Sequence, residues 1–355
     1  MRTAAGAHPR PEGFVQLSYD PTSPFQWGLA PLNYHVYVYR DVAAALSAID
    51  HWVDRIWKKR EAEAGTARAG VPLKILYRGQ SEISLRLLPT LLRGPGPVPV
   101  PERPRYRVES QPGGTEEARQ QFGDWFEEDP DFRSADSLLD RLSVEWLTQC
   151  GAGEERALAL ARQMPGIAGL DPFRQRAAVR HYSGAPSTIL DVTTKPEVAA
   201  FFATGGGLPR GASLPAGSLG MLWAIDLTFL AEFFDVSVEP VPGGRRIVLR
   251  QPKERWGDNH KMFADQGIPD VGLVFTDVAL PLPRPEAQHA VFLSLTEVDG
   301  PELPIKAQLH WWSLIERWSY MTGFIQDGRV FEDSAGGVTR SRLFPEDDAN
   351  LALSR

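Results

Sequence analysis

The chain has 355 residues, 43% of them hydrophobic, enough to bury a sizeable core and, by length, to form either two domains or one larger domain with insertions. Its net charge of −7 offers no bulk attraction for phosphate backbones or anionic lipid, so nonspecific nucleic-acid binding is disfavoured and only a local basic groove stays open. Cys150, the single cysteine, excludes an intramolecular disulfide framework and a thiolate metal cluster and fits a reducing cytoplasm. The opening MRTAAGAHPRPEGFVQ has no apolar run after its early charge, and no uncharged apolar run approaches the roughly 18 residues of a membrane span, so no membrane association is expected.

In chain order, NYHVYVYR at 33–40 alternates like a strand, and apolar residues at helical spacing from Val42 to Ile56 predict a helix over 41–65 with Asp41 as its N-cap. PLKILYRG at 72–79 reads as a short buried strand closed by glycine. Residues 93–115 carry so many prolines that neither a regular helix nor a central strand can form there, which predicts a surface excursion. Two amphipathic helices are expected within 135–163, then strands near 219–226, 245–250, 271–276 and 289–295, and a helix at 305–321 carrying Trp311, Trp312, Ile315 and Trp318. The Gly/Pro clusters at 205–220 and 281–285 suit loops. Strands outnumber simple βαβ units, so the expected class is α+β: a mixed, mainly antiparallel sheet surrounded by helices, with a Pro/Gly-rich insertion.

The stretch RHYSGAPSTILDVTTKPEVAAFFAT at 180–204 is the least scaffold-like part of the chain. Thr194, with Pro196 in the first helical turn and Glu197 three residues on, has the form of a capping box, and Val198, Phe201 and Phe202 form a core stripe. Arg78 places a fork of donors at a strand end, beside a glycine that lets a ligand approach the backbone; it either clamps an anion or pairs with Asp191 to tie two strands. His181 is either a proton donor or clamp, or a structural histidine. Glu286 and Gln288, two apart, share one face if their segment is extended, where they either hold the hydroxyls of a ribose or lie exposed in a loop. Seven histidines without a cysteine cluster or HExxH-like spacing predict no metal site.

Three stretches in this order resemble the FRG domain, a family named after its Phe-Arg-Gly motif. LYRGQSEISLRLLPTLLR at 76–93 has Tyr77 in place of the phenylalanine but matches at Arg78, Gly79, Gln80 and Pro89; the stretch at 180–204 is similar to the family's His-Tyr-Gly…Pro-Thr…Leu-Leu-Asp signature; and PRPEAQHAVF at 283–292 aligns Arg284, Gln288 and Phe292. Ser187 stands where the family usually has threonine and Arg180 where a glutamine is common. The resemblance implies an N-terminal extension over 1–32, an FRG-like α+β domain over 33–330 with an insertion around 93–170, and a C-terminal tail over 331–355. The order of the motifs also resembles, more weakly, the ADP-ribosyltransferase plan. This implies an NAD-dependent ADP-ribosyltransferase or NAD glycohydrolase, acting as a toxin or phage-defence effector on a protein or nucleic-acid target. Arg78, Asp191, Glu286 and Gln288 would then be catalytic, and Gly79, Gln80, His181, Tyr182 and Thr193 would hold NAD. The alternative is a nucleotide-sensing or partner-binding module in which the same residues hold a nucleotide without chemistry. An acid at 286 facing Arg78 across a cleft favours catalysis; one facing solvent favours binding.

Overall fold

The computed structural model describes residues 15–19, 35–39, 41–63, 75–81, 87–95, 106–110, 142–183, 185–208, 214, 219–227, 234–252, 269–276, 280–298, 303–326 and 338–345. The expected N-terminal extension and C-terminal tail lie mostly outside these residues, as do 96–105 and 111–141 of the expected insertion.

The class is α+β. The strands are β1 (Val15–Tyr19), β2 (His35–Tyr39), β3 (Ile75–Gln80), β4 (Tyr106–Ser110), β5 (Leu190–Thr193), β6 (Leu219–Asp226), β7 (Phe234–Val241), β8 (Gly244–Pro252), β9 (Val271–Phe275), β10 (Ala290–Glu297) and β11 (Tyr320–Ile325). They form one sheet in the order β4-β1-β2-β11-β6-β3-β5-β10-β9-β8-β7, and among these pairings only β2 with β11 is parallel. The proline-rich stretch does contribute a strand, β4, but at the sheet's edge beside β1, where missing donors matter least. The helices are α1 (Val42–Glu63), α2 (Val144–Ala161), α3 (Pro172–Ser183), α4 (Pro196–Ala203), α5 (Pro283–Ala287), α6 (Ile305–Trp318) and α7 (Arg340–Leu343).

Side-chain parity in the central strands divides the core. Met221, Trp223 and Ile225 of β6 join Leu76 of β3 and Trp311, Trp312 and Ile315 of α6 on one face. Leu222 and Ala224 join Tyr77 and the α1 and α4 residues Ala45, Ile49, Val198 and Phe201 on the other. The two-residue period of a strand makes this inevitable once helices cover both faces. In β5 the same parity sends Leu190 and Val192 to the first face. Asp191 and Thr193 therefore lie opposite, where they neighbour Phe292 and Ala290 of β10.

Several local expectations need correction. Where two helices are expected within 135–163, one helix runs from Val144 to Ala161 straight through Gly151 and Gly153; residues 135–141 lie outside the described residues. Ser143 caps it by accepting from the Trp146 N–H at 3.1 Å, and Asp41 caps α1 from Ala44 N at 2.8 Å, the latter as expected. The predicted helix 305–321 stops at Trp318 and gives way to β11, and β7 has no counterpart among the expected strands. The loop expected at 281–285 gives way to the short helix α5 over 283–287: Pro283 and Pro285 occupy the first turn, whose N–H groups have no helical acceptor anyway.

Candidate functional site

β3 and β5 are neighbours in the sheet, yet they pair at a single register position, Tyr77 opposite Thr193. Beyond it the strands part, and Arg78 bridges them. Its Nη1 donates to the Asp191 carbonyl and, at 2.7 Å, to Asp191 Oδ1. The strand-to-strand tie anticipated for this arginine is therefore present, at the mouth of a pocket lined by Arg78, His181, Asp191, Thr193 and Gln288 together with Tyr77 and residues of α4. The cavity volume is about 30 Å³, well below that of most small-molecule sites, and it is partly open to solvent.

The glycine after Arg78 is required by helix packing. A Cβ on Gly79 would lie 1.7 Å from the Ala199 carbonyl oxygen, so α4 crosses directly over β3 at this point. Gly79 also lines the pocket.

α3 delivers the second wall. Asp171 caps it by accepting from Arg174 N at 3.0 Å, with Pro172 at the first helical position. At its other end Arg284 of α5 donates to the His181 carbonyl at 3.2 Å and lies 4.9 Å over the Tyr182 ring, which holds the final turn in place. His181 is packed edge-on against Tyr182 and Phe292, with its side chain 5% exposed. Burial, followed by the charges of Arg284, Arg180 and Arg78, pushes its pKa down to about 4 against the pull of Asp191, so the imidazole is neutral at physiological pH. Its Nδ1 lies 3.9 Å from Asp191 Oδ2, beyond hydrogen-bond reach, and neither ring nitrogen has a partner among the described residues.

Burial pushes the Asp191 carboxyl upward, but Arg78 and then Arg180, whose Nη2 lies 3.5 Å from Oδ1, overcome this and hold it well below the usual carboxylate range. Tyr77 is pushed up to about 12 by burial and then by Asp50 and Glu197, so its phenol stays a donor.

Gln288 reaches the pocket, but Glu286 does not. Because 283–287 is helical and Gln288 ends it, the two residues do not share the face of an extended segment; Gln288 is buried and Glu286 is exposed. The Gln288 amide donates to Leu343 O at 3.0 Å, tying α5 to α7. Gln80 and Tyr182 are buried beside the pocket without lining it, and Tyr182 Oη accepts from Arg284 N.

The capping-box reading of Thr194 and Glu197 is also corrected. Lys195 is the N-cap residue of α4 and no side chain caps the helix. The preceding threonine does the local work: Thr193 Oγ1 donates to Gln288 O at 2.8 Å and accepts from Lys195 N at 3.1 Å, joining β5, α4 and α5. Thr194→Ala is therefore expected to change stability by less than about 0.5 kcal/mol. Thr193→Val, which keeps the shape and loses both bonds, is expected to cost about 1–3 kcal/mol. Paired urea titrations measure the difference; equal losses in the two variants would restore Thr194 as the cap.

One residue that touches the site escaped the sequence reading as a functional candidate: Arg180, whose Nη2 lies 3.5 Å from Asp191 Oδ1 and which stands in the sequence only as a departure from the family pattern. The helical phase that buries Tyr182 is its only trace in the sequence.

Among the described residues no group of His, Cys, Asp or Glu side chains is placed to hold a metal ion, and no helix is long and apolar enough to cross a membrane. None of the family models, curated proteins or solved structures searched matches the chain.

Proposed function

We propose that the chain is an FRG-type domain whose pocket binds a phosphate-bearing nucleotide, with NAD the first candidate, and that it works as a nucleotide-binding module. The observation that carries this reading is the split of the two acidic candidates: Asp191 lines the pocket with Arg78, His181 and Gln288, while Glu286 stands outside it in solvent. Cleaving the nicotinamide bond develops positive charge on the ribose and needs a carboxylate free to face it. Asp191, the carboxylate among the lining residues, is engaged by two arginines. What supports binding is the set of neutral and cationic donors around it: Arg78, the protonated Tyr77 phenol and the neutral His181.

A second reading rests on the same aspartate. Asp191 is held ionised and retains 23% exposure, as an acid beside a ribose cation would require, which supports an NAD glycohydrolase or ADP-ribosyltransferase acting as a toxin or in phage defence. One experiment separates the two. Calorimetry with NAD measures binding, and chromatography of the same mixture, with and without cell lysate, measures nicotinamide release. Binding without release is expected; release abolished by Asp191→Asn, measured where melting curves show the variant still folded, would establish the enzyme, and absence of any heat with NAD, ADP-ribose or other nucleotides would end both readings.

Arg78→Lys is expected to weaken nucleotide binding at least tenfold, nearly as much as Arg78→Ala, because an ammonium cannot reproduce the planar fork. It should nonetheless melt closer to the parent than the alanine variant, since it keeps a charge for Asp191. Melting curves run beside the calorimetry check this, and losses of stability and affinity that track each other in both variants would reduce Arg78 to a structural tie.

A further inference from the structure

The pocket as it stands has roughly a tenth of the volume of the smallest ordinary small-molecule sites, about 300 Å³, so a nucleotide enters only if a wall moves. β3 and β5 are interior strands of the sheet, and α4 is fixed on β3 by the backbone contact at Gly79. The wall that carries Gln288 is different. α5 is a five-residue helix, and it joins β10 through His289, whose φ of 48° puts a non-glycine residue in the left-handed region. A strained joint of this kind persists only while its surroundings hold it.

The C-terminal segment helps to hold this wall. The Gln288 side-chain amide donates to Leu343 O at 3.0 Å, and the Arg284 guanidinium lies 5.2 Å over the Phe344 ring. From the α4 side Phe344 meets Phe202 edge-on, with ring centroids 6.3 Å apart, and Phe201 at 6.5 Å. Arg340 lies 5.1 Å over the same ring, and its Nη1 donates to Gly206 O and Leu208 O, both at 2.8 Å, just past the end of α4. Residues 338–345 thus staple α5 to α4, and each of those helices brings a neighbouring residue to the pocket lining, Gln288 and Phe202. The staple is thin. Val338 and Leu343 are its buried apolar side chains, Arg340 and Phe344 are half-buried, and Ser341 and Arg342 are exposed. Segments that bury so little open locally far more readily than the whole chain unfolds.

We infer that residues 338–345 are an autoinhibitory strap that pins α5 against α4 and keeps the pocket too small for its ligand, which enters when strap and α5 swing aside together. This rests on the nucleotide-binding reading and adds its regulation: the apparent affinity is the affinity of the open form reduced by the fraction of molecules that are open. A weaker strap therefore means tighter binding. A segment that merely stabilised a preformed site would have the opposite effect, since its loss would weaken binding along with the fold.

The test compares the whole chain with Phe344→Ala and Arg340→Gln, which loosen the strap at two separate points, and with Arg342→Gln, an exposed position on the same turn. Peptide-resolved hydrogen exchange reads the wall directly and calorimetry with NAD reads the site. In both strap variants the amides of 284–290 are expected to exchange about tenfold faster than in the parent, while those of the central strand β6 keep the parent's rate. NAD should bind these two variants about threefold or more tighter, and Arg342→Gln should match the parent in both measurements. Parent-like exchange at 284–290 in the strap variants would overturn the inference, as would an equal rise in β6, which marks a general loss of stability. NAD binding that is unchanged or weakened in variants whose wall has loosened would overturn it too, because the strap would then not stand between ligand and site. Faster local exchange with no NAD heat from any of the proteins would uphold the strap and remove the nucleotide reading.

Discussion

Replacing Gly79 with alanine is expected to destabilise the chain by more than about 4 kcal/mol, placing it among the rare substitutions that prevent folding. The added Cβ would sit 1.7 Å from Ala199 O, 2.6 Å from Ala199 C and 2.9 Å from Ala203 N. All three are backbone atoms of a helix whose own hydrogen bonds fix them, so no rotamer change can relieve the clash. α4 would have to lift from β3, and with it Val198, Ala199 and Phe201, each at most 3% exposed, would leave the core they share with Tyr77 and Leu222. Gly153 provides the contrast. Nothing lies within 4 Å of a Cβ built there, and it sits inside α2, where alanine is the better helix former. Gly153→Ala is accordingly expected to stabilise by about 0.5–1 kcal/mol. Thermal melts of the two variants decide the matter, and a Gly79→Ala protein melting within a few degrees of the parent would show that the helix does not press on the strand as described.

That contrast also marks what could be read from residue order alone. The glycine after Arg78 was legible as a special position, but its reason was not, because the atom that forbids a side chain belongs to a helix about 120 residues later. Periodicity located β2, α1, β3, β6, β8, β9 and β10 to within a few residues, since each is an uninterrupted apolar or alternating run covered on at least one face. β7 went unread although Val236 and Val238 alternate with polar residues and the Val-Pro-Gly-Gly turn at 241–244, with Gly243 at a φ of 82°, is a strong hairpin signal. Its half-exposed face and the absence of a long apolar run hid it. At the site, Arg78, Asp191 and Gln288 were each visible as polar residues at the edges of apolar strands, and they line one pocket. For Glu286 residue order leaves open a shared face with Gln288 in an extended segment and exposure in a loop; the exposure holds, but on a helix that two prolines start. Arg180 could not be found, because its place beside Asp191 comes from α3 meeting β5 and no spacing rule encodes that.

Asp191→Asn is expected to cost about 3–5 kcal/mol, the range for removing one partner of a buried ion pair. The carboxylate accepts from Arg78 at 2.7 Å and lies 3.5 Å from Arg180, and the side chains involved are 23%, 18% and 12% exposed. An amide preserves the volume and cancels the charge, leaving Arg78, Arg93 and Arg180 to repel one another without their shared counter-ion. The pH dependence follows with a definite sign. His181, pushed down to about 4 in the folded chain, contributes stability that is complete above its ordinary value near 6.5 and is lost as pH falls from there toward 4. Asp191, held low by Arg78 and Arg180 against the upward push of burial, contributes stability present above the ordinary carboxylate value near 4 and lost as pH falls below it. The parent should therefore lose stability in two successive acid steps, and the asparagine variant should lack the lower one. An asparagine variant that melts like the parent at pH 7 and keeps both acid steps would show that Asp191 neither ties β5 to β3 nor balances the arginines around it.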